Sequence, residues 1–161
     1  MAELPRRAAM AALAGAGVLA TPGIAGATVP PQIRQPRAEQ TITLTAIRKS
    51  ITLPAAPPLG APFTIDLELH DQTGKVIGDG SVNAMVVEPA PTIVTHDKVV
   101  LRLAAGELHL STMHERTVPN PGKKFPVAIV GGTGDYRHVT GDGTLEYTTA
   151  KDTALTLTIT T

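Results

Sequence analysis

The stretch Val127-Ala-Ile-Val-Gly-Gly-Thr-Gly-Asp-Tyr-Arg-His-Val-Thr-Gly-Asp-Gly-Thr-Leu-Glu-Tyr147 decides how this chain folds. An apolar run enters the turn Gly131-Gly-Thr-Gly134. A short loop follows, and Gly141-Asp-Gly143 leads into a second β-prone run. Glycine punctuation between two such runs lets the backbone take positive φ and double back tightly. A dinucleotide cradle would need glycines at G-x-G-x-x-G with a helix behind them, so that backbone N–H groups and the helix dipole meet the phosphate. Here Gly132-Thr-Gly134 is followed by Asp135, Arg137 occupies the third glycine position, and the residues beyond are Thr-rich and β-branched. The stretch therefore reads as strand, corner, strand.

Working outward, the same signal recurs. Thr41-Ile-Thr-Leu-Thr-Ala-Ile47 and Phe63-Thr-Ile-Asp-Leu-Glu-Leu69 alternate polar and apolar residues, as half-buried strands do. Asp71-Gln-Thr-Gly74 is a turn. Lys75 to Val87 is a long strand whose Gly78 and Gly80 mark a bulge or bend. Short strands follow at Thr92–Thr95, Val99–Leu103, Glu107–His114 and Phe125–Val130, and the chain ends on Ala154-Leu-Thr-Leu-Thr-Ile-Thr160. Strands at regular spacing, with both ends of the domain strand-like, predict an all-β fold. The expected form is a single closed antiparallel up-and-down barrel of about eight strands with a hydrophobic interior. Closure would pair the last strand with the first and leave no exposed edge.

Composition narrows the function. Formal net charge is +0, pI is near 7.0 and aromatics are 2%. A nucleic-acid binder would carry a basic face with stacking aromatics, so nucleic acid is not an expected partner. With no cysteine, disulfides, thiolate metal sites and cysteine nucleophiles are excluded. The five histidines are scattered, and His109 and His114 fall on opposite faces of a strand, so no metal site is expected.

The N-terminal segments read differently. Arg6-Arg7, the apolar run Ala8 to Ala20 and the small-x-small pattern Ala25-Gly26-Ala27 make residues 1–27 an expected twin-arginine-like export signal. The apolar run is too short to span a bilayer stably. Residues 28–40, with Pro30, Pro31 and Pro36, have linker composition. The barrel domain is expected over 41–161, and the mature protein outside the cytoplasm.

Three motifs in order carry a family resemblance. They are Leu59-Gly-Ala-Pro-Phe-Thr-Ile-Asp-Leu-Glu-Leu-His-Asp71, then Gly74-Lys-Val-Ile-Gly78, then the corner from Val127 to Gly141. Together they resemble the allene oxide cyclase and dirigent barrel superfamily. That superfamily shows a Leu-Gly-x-x-x-x-Phe turn-and-strand, a turn into Ile-Gly and a Gly-Gly-Thr/Ser-Gly-x-aromatic corner. The resemblance implies an eight-stranded antiparallel barrel with an apolar cavity, and a homo-oligomer, dimer or trimer. Bacterial relatives include secreted proteins and cyclases that build rings in polyketide pathways. The chain departs from plant allene oxide cyclases where they line the cavity with polar groups. The first strand offers Thr, Ala and Ile, the position two after Phe63 is Ile65, and the position ahead of the corner falls at Pro126. Allene oxide cyclase activity itself is therefore not expected, and a shared fold alone assigns no reaction.

Period-two alternation predicts the wall of the interior. Phe63, Ile65, Leu67, Val82, Ala84, Val86, Leu101 and Leu110 should face inward, and the resemblance adds Pro126. Such a wall suits a hydrophobic small molecule, or else the side chains simply fill a small barrel. His114 and Arg116 share the parity of Leu108 and Leu110, and Tyr147 that of Leu145, which makes these three the candidate catalytic groups. An imidazole can exchange protons near neutrality, and a guanidinium or phenol can hold an oxyanion. Plain alternatives are a solvated strand end for His114 and Arg116, and a core Tyr147 with its hydroxyl at the rim. Asp135, Arg137 and His138 sit in the corner loop, as a mouth or as a surface turn. Two functions follow. One is a cofactor-free cyclase that folds a polyene- or polyketide-like molecule into a reactive conformer. The other is a secreted, lipocalin-like binding protein or a dirigent-like guide for radical coupling.

Overall fold

A computed structural model describes residues 38–160. The expected leader and most of the expected linker lie outside the described residues. Eight strands form: β1 (Glu39–Ile51), β2 (Pro62–His70), β3 (Val76–Glu88), β4 (Val94–Leu103), β5 (Gly106–Glu115), β6 (Phe125–Gly132), β7 (Thr140–Tyr147) and β8 (Asp152–Thr160). Each pairs antiparallel with the next, and β8 returns to β1 from Glu39↔Thr160 to Ile47↔Asp152. The protein is thus a closed eight-stranded antiparallel barrel, as the alternation predicted. One turn of 3₁₀ helix, Gly134–Tyr136, sits in the corner. Among the described residues no helix is long and apolar enough to cross a membrane.

Up-and-down topology fixes which residues share an end. The β2–β3 turn, the β4–β5 turn and the Gly131–Gly134 corner all lie at one end, where β1 begins and β8 finishes. Tyr136 and Val139 of the corner pack against the main core there, so this end is plugged. At the opposite end lie the starts of β2, β4, β6 and β8 and the finishes of β1, β3, β5 and β7. The interior holds two apolar clusters. The larger is built around Leu44, Leu101, Leu108 and Leu157, and the smaller around Phe63, Ile65, Val82, Ala84 and Val86.

Two strand readings change. β4 is one strand, not the two pieces Thr92–Thr95 and Val99–Leu103. Its middle, His96-Asp97-Lys98, looks like a polar break in sequence, yet Asp97 is buried on the inner face beside Thr95, Val99 and Leu101. Pro126 is the second correction. In β6 Phe125, Val127 and Ile129 point inward, while Pro126 is exposed on the outside and lines no interior space. Gly78 behaves as expected: opposite it the β2–β3 register shifts between Leu69 and His70, which leaves Ile77 as the extra residue of a bulge.

Candidate functional site

The polar residues that the barrel buries gather at the end away from the corner. β4 contributes Asp97, β5 contributes Thr112 and His114, and β7 contributes Tyr147 from its last position. Arg116 follows β5 directly, and its backbone N–H donates to the Ile93 carbonyl at 2.7 Å, which keeps the inward parity for one more residue. The reading of His114 and Arg116 as a solvated strand end is overturned. His114 is 4% exposed and the Arg116 side chain 6%.

The contacts divide into two linked pairs. The Arg116 guanidinium reaches Oδ2 of Asp97 at 3.3 Å and lies over the Phe63 and Tyr147 rings, 5.2 and 5.7 Å from their centroids. Both faces supply the cation–π attraction that makes a desolvated guanidinium tolerable. Nε2 of His114 lies 2.6 Å from the Tyr147 hydroxyl, which is therefore not at the rim. The His114 ring also packs at 5.1 Å against Phe125, an inward neighbour of the misassigned Pro126.

Hydrogen-bond bookkeeping assigns the protons. Thr112 donates its single hydroxyl proton to the Pro126 carbonyl at 2.7 Å. Its oxygen can then only accept from Nδ1 of His114, 3.5 Å away, so Nδ1 carries the imidazole proton. Nε2 is left bare, and Tyr147 donates to it. Burial pushes the Tyr147 phenol up to about 12, which keeps it a donor. Burial likewise holds the His114 imidazole below its usual range, with Asp97 opposing and Arg116 adding to the effect.

A depressed imidazole has a defined consequence for stability. Between its folded value and the ordinary value of 6.5 the unfolded chain binds more protons than the folded one. The His114 share of the stability should be full above 6.5 and fall as the pH drops below it, while His70, raised by its bond to Glu68, contributes in the opposite sense in both the parent and a His114 variant. His114→Gln should flatten that fall. Urea midpoints taken from about pH 7.5 to about pH 5.5 test this, and an unchanged slope would count against it.

Beside these pairs lies an internal cavity of about 60 Å³. Ile65, Leu67, Val82 and Leu110 line it together with Ala46, Asp97, Thr112, Arg116 and Tyr147, and Arg48, Val118, Ala150 and Lys151 border it at the strand ends. Phe63, Ala84, Val86 and Leu101 are buried but belong to the packed core outside its lining. The barrel is thus mostly filled. Its open space is well below the ~300–1,000 Å³ typical of drug-sized ligand pockets. Asp135, Arg137 and His138 are exposed at the plugged end, remote from this site along the barrel. Among the described residues no three His, Asp or Glu side chains come together as metal ligands do.

Asp97, Thr112 and Phe125 in the interior, and Arg48, Val118, Ala150 and Lys151 at the strand ends, are site residues missing from the sequence reading; for Asp97 and Thr112 a signal existed. Asp97 shares the parity of Val99 and Leu101, and Thr112 that of Leu110 and His114, so continued alternation was the signal for both.

No protein-family model and no curated protein matches the chain. Solved structures do. A pyocyanin demethylase is 22% identical with a TM-score of 0.63, over 74% of this chain and 99% of its own. An exo-specific intermolecular Diels–Alderase is 14% identical with a TM-score of 0.59, over 77% and 99%. A pterocarpan synthase dirigent protein is 12% identical with a TM-score of 0.61, over 77% and 88%. The chain therefore shares the barrel fold of these proteins. At these identities the likeness is one of fold.

Proposed function

We propose that the barrel binds a small, largely apolar molecule through the end bordered by Arg48 and Lys151 and steers its cyclisation. The observation that carries this is the apolar cavity with a buried ion pair and a buried Tyr147–His114 pair at its side. Burying four polar groups in a barrel interior costs free energy that an aliphatic filling would avoid, so their placement beside open space favours a ligand site over a plain scaffold. Ring closure asks little acid–base chemistry of such a site. Holding two reacting ends of one chain in a near-attack arrangement supplies about 7–11 kcal/mol in favourable cases. Arg116 and Tyr147 border the cavity where an oxygen of the substrate would need orientation. The presence of a Diels–Alderase and a dirigent protein among the structural neighbours is consistent with this use of the fold. A cavity of about 60 Å³ takes a compact head, and a longer substrate extends past Lys151 into solvent.

Cyclisation conserves mass, which makes the test direct. Incubating extract of the native host with the protein should yield a compound of unchanged mass and new retention time. Ala46 lines the cavity, so Ala46→Leu should fill it, keep stability and abolish the conversion. Ala84 sits in the packed Phe63 cluster, so Ala84→Trp should overpack it and cost about 1–3 kcal/mol or more. A compound retained by the protein but never converted would replace the cyclase by a binding protein. Full conversion by Ala46→Leu would remove the cavity from the mechanism.

A further inference from the structure

Asp97 is the most deeply buried charged side chain of the site, 3% exposed, and only one of its carboxylate oxygens has a partner. Oδ2 meets Arg116, while no protein donor among the described residues reaches Oδ1. The polar groups around it do not pair with it: the buried hydroxyl of Thr95, two residues back on the same inner face, is itself without a partner among the described residues. Thr112, its cross-strand neighbour on β5, gives its proton to the Pro126 carbonyl. The Tyr147 hydroxyl is engaged by His114, and the Arg116 fork is spread between Oδ2 and two aromatic faces. The folded chain thus holds a buried carboxylate oxygen unpaired in a wall that is otherwise mainly aliphatic, among the more costly defects a fold can carry.

We infer that the cavity recognises its ligand through a neutral hydrogen-bond donor, a hydroxyl or an amide-type N–H, that docks on Oδ1 of Asp97. This rests on the reading of the cavity as a ligand site. Neutrality follows from the charges that line the space. Arg116 already compensates Asp97, and Arg48 and Lys151 stand at the mouth, so an ammonium group would add uncompensated positive charge to an apolar enclosure. An alcohol, phenol or enol completes Oδ1 without changing the net charge.

Phenol and toluene test this because they are nearly the same size and differ in one donor. Benzaldehyde adds an acceptor without a donor. Chemical-shift titration of the folded protein should show phenol binding roughly tenfold or more tighter than toluene, with benzaldehyde close to toluene. In the double variant Asp97→Leu/Arg116→Met, which replaces both charges by apolar groups of similar size, the preference for phenol should vanish while toluene still binds. Equal affinity of phenol and toluene for the unaltered protein overturns the donor site and leaves the cavity reading standing. So does benzaldehyde matching phenol, or a phenol preference that survives in the double variant. Failure of all three probes to bind overturns the cavity reading itself, and the donor site with it. The three-probe comparison needs no variant, so a double variant that did not fold would leave it decisive.

Discussion

Arg116→Met should destabilise the barrel by about 3–5 kcal/mol, because it removes the partner of a buried carboxylate and leaves the carboxylate in place. The geometry behind this is the single contact to Asp97 at 3.3 Å, with neither partner exposed enough for water to take over. Loss of the guanidinium from the Phe63 and Tyr147 faces acts in the same direction. Adding Asp97→Leu to the same chain should recover most of the loss, since the charge that lacked a partner is then gone. Chemical denaturation of the two single variants and the double variant forms a cycle that isolates the pair. A cost below about 1 kcal/mol for Arg116→Met would mean that solvent reaches Asp97, and the picture of a dry ion pair would have to be abandoned.

The corner should be as sensitive for a different reason. Gly134 has φ +60, and a Cβ there would overlap the Ala105 carbonyl oxygen. That carbonyl accepts the Asp135 N–H at 2.9 Å, which ties the corner to the β4–β5 turn. Gly134→Val combines a β-branched residue at positive φ with this collision, and should cost about 2–4 kcal/mol through strain and the lost bond. Gly74 has φ +82 but nothing within 4 Å, so Gly74→Asn, a residue that tolerates the left-handed region, should change stability far less. Because the corner plugs the end opposite the site, the Gly134 variant should lose stability without altering which probes bind. Unfolding curves of the two variants side by side check the contrast, and equal midpoints would refute it.

How much of this was legible in the sequence follows from what faces the interior. Where the inner set is apolar and the outer set polar, as in Thr41–Ile47 or Phe63–Leu69, alternation alone placed the strand and its face. It failed in two ways. In β4 the run His96-Asp97-Lys98 looks like a break because Asp97 is a polar residue on the inner face, and a rule that reads polar as outward finds no strand there. The local rule gave way where the cavity acquires its charge. In β6 both sets are apolar, Phe125, Val127 and Ile129 inside against Pro126, Ala128 and Val130 outside, so alternation carried no information about the face. Family resemblance then supplied Pro126, one residue out of step. Pairings that set the chemistry, Tyr147 with His114 and Arg116 with Asp97, join residues 33 and 19 positions apart and follow only from strand order and register.

The chain has two tyrosines and no tryptophan, and the fold sends the two to opposite ends. Tyr147 stands in the cavity wall with its phenol on an imidazole, while Tyr136 belongs to the 3₁₀ turn that packs over the plugged end. The near-ultraviolet signal of this protein is thus two separately located optical labels with no indole to mask them. Tyr136→Phe leaves a chain whose only chromophore of this kind is in the cavity wall, and Tyr147→Phe leaves one that watches only the far end. Events at either end of the barrel can be followed in solution without attaching anything to it.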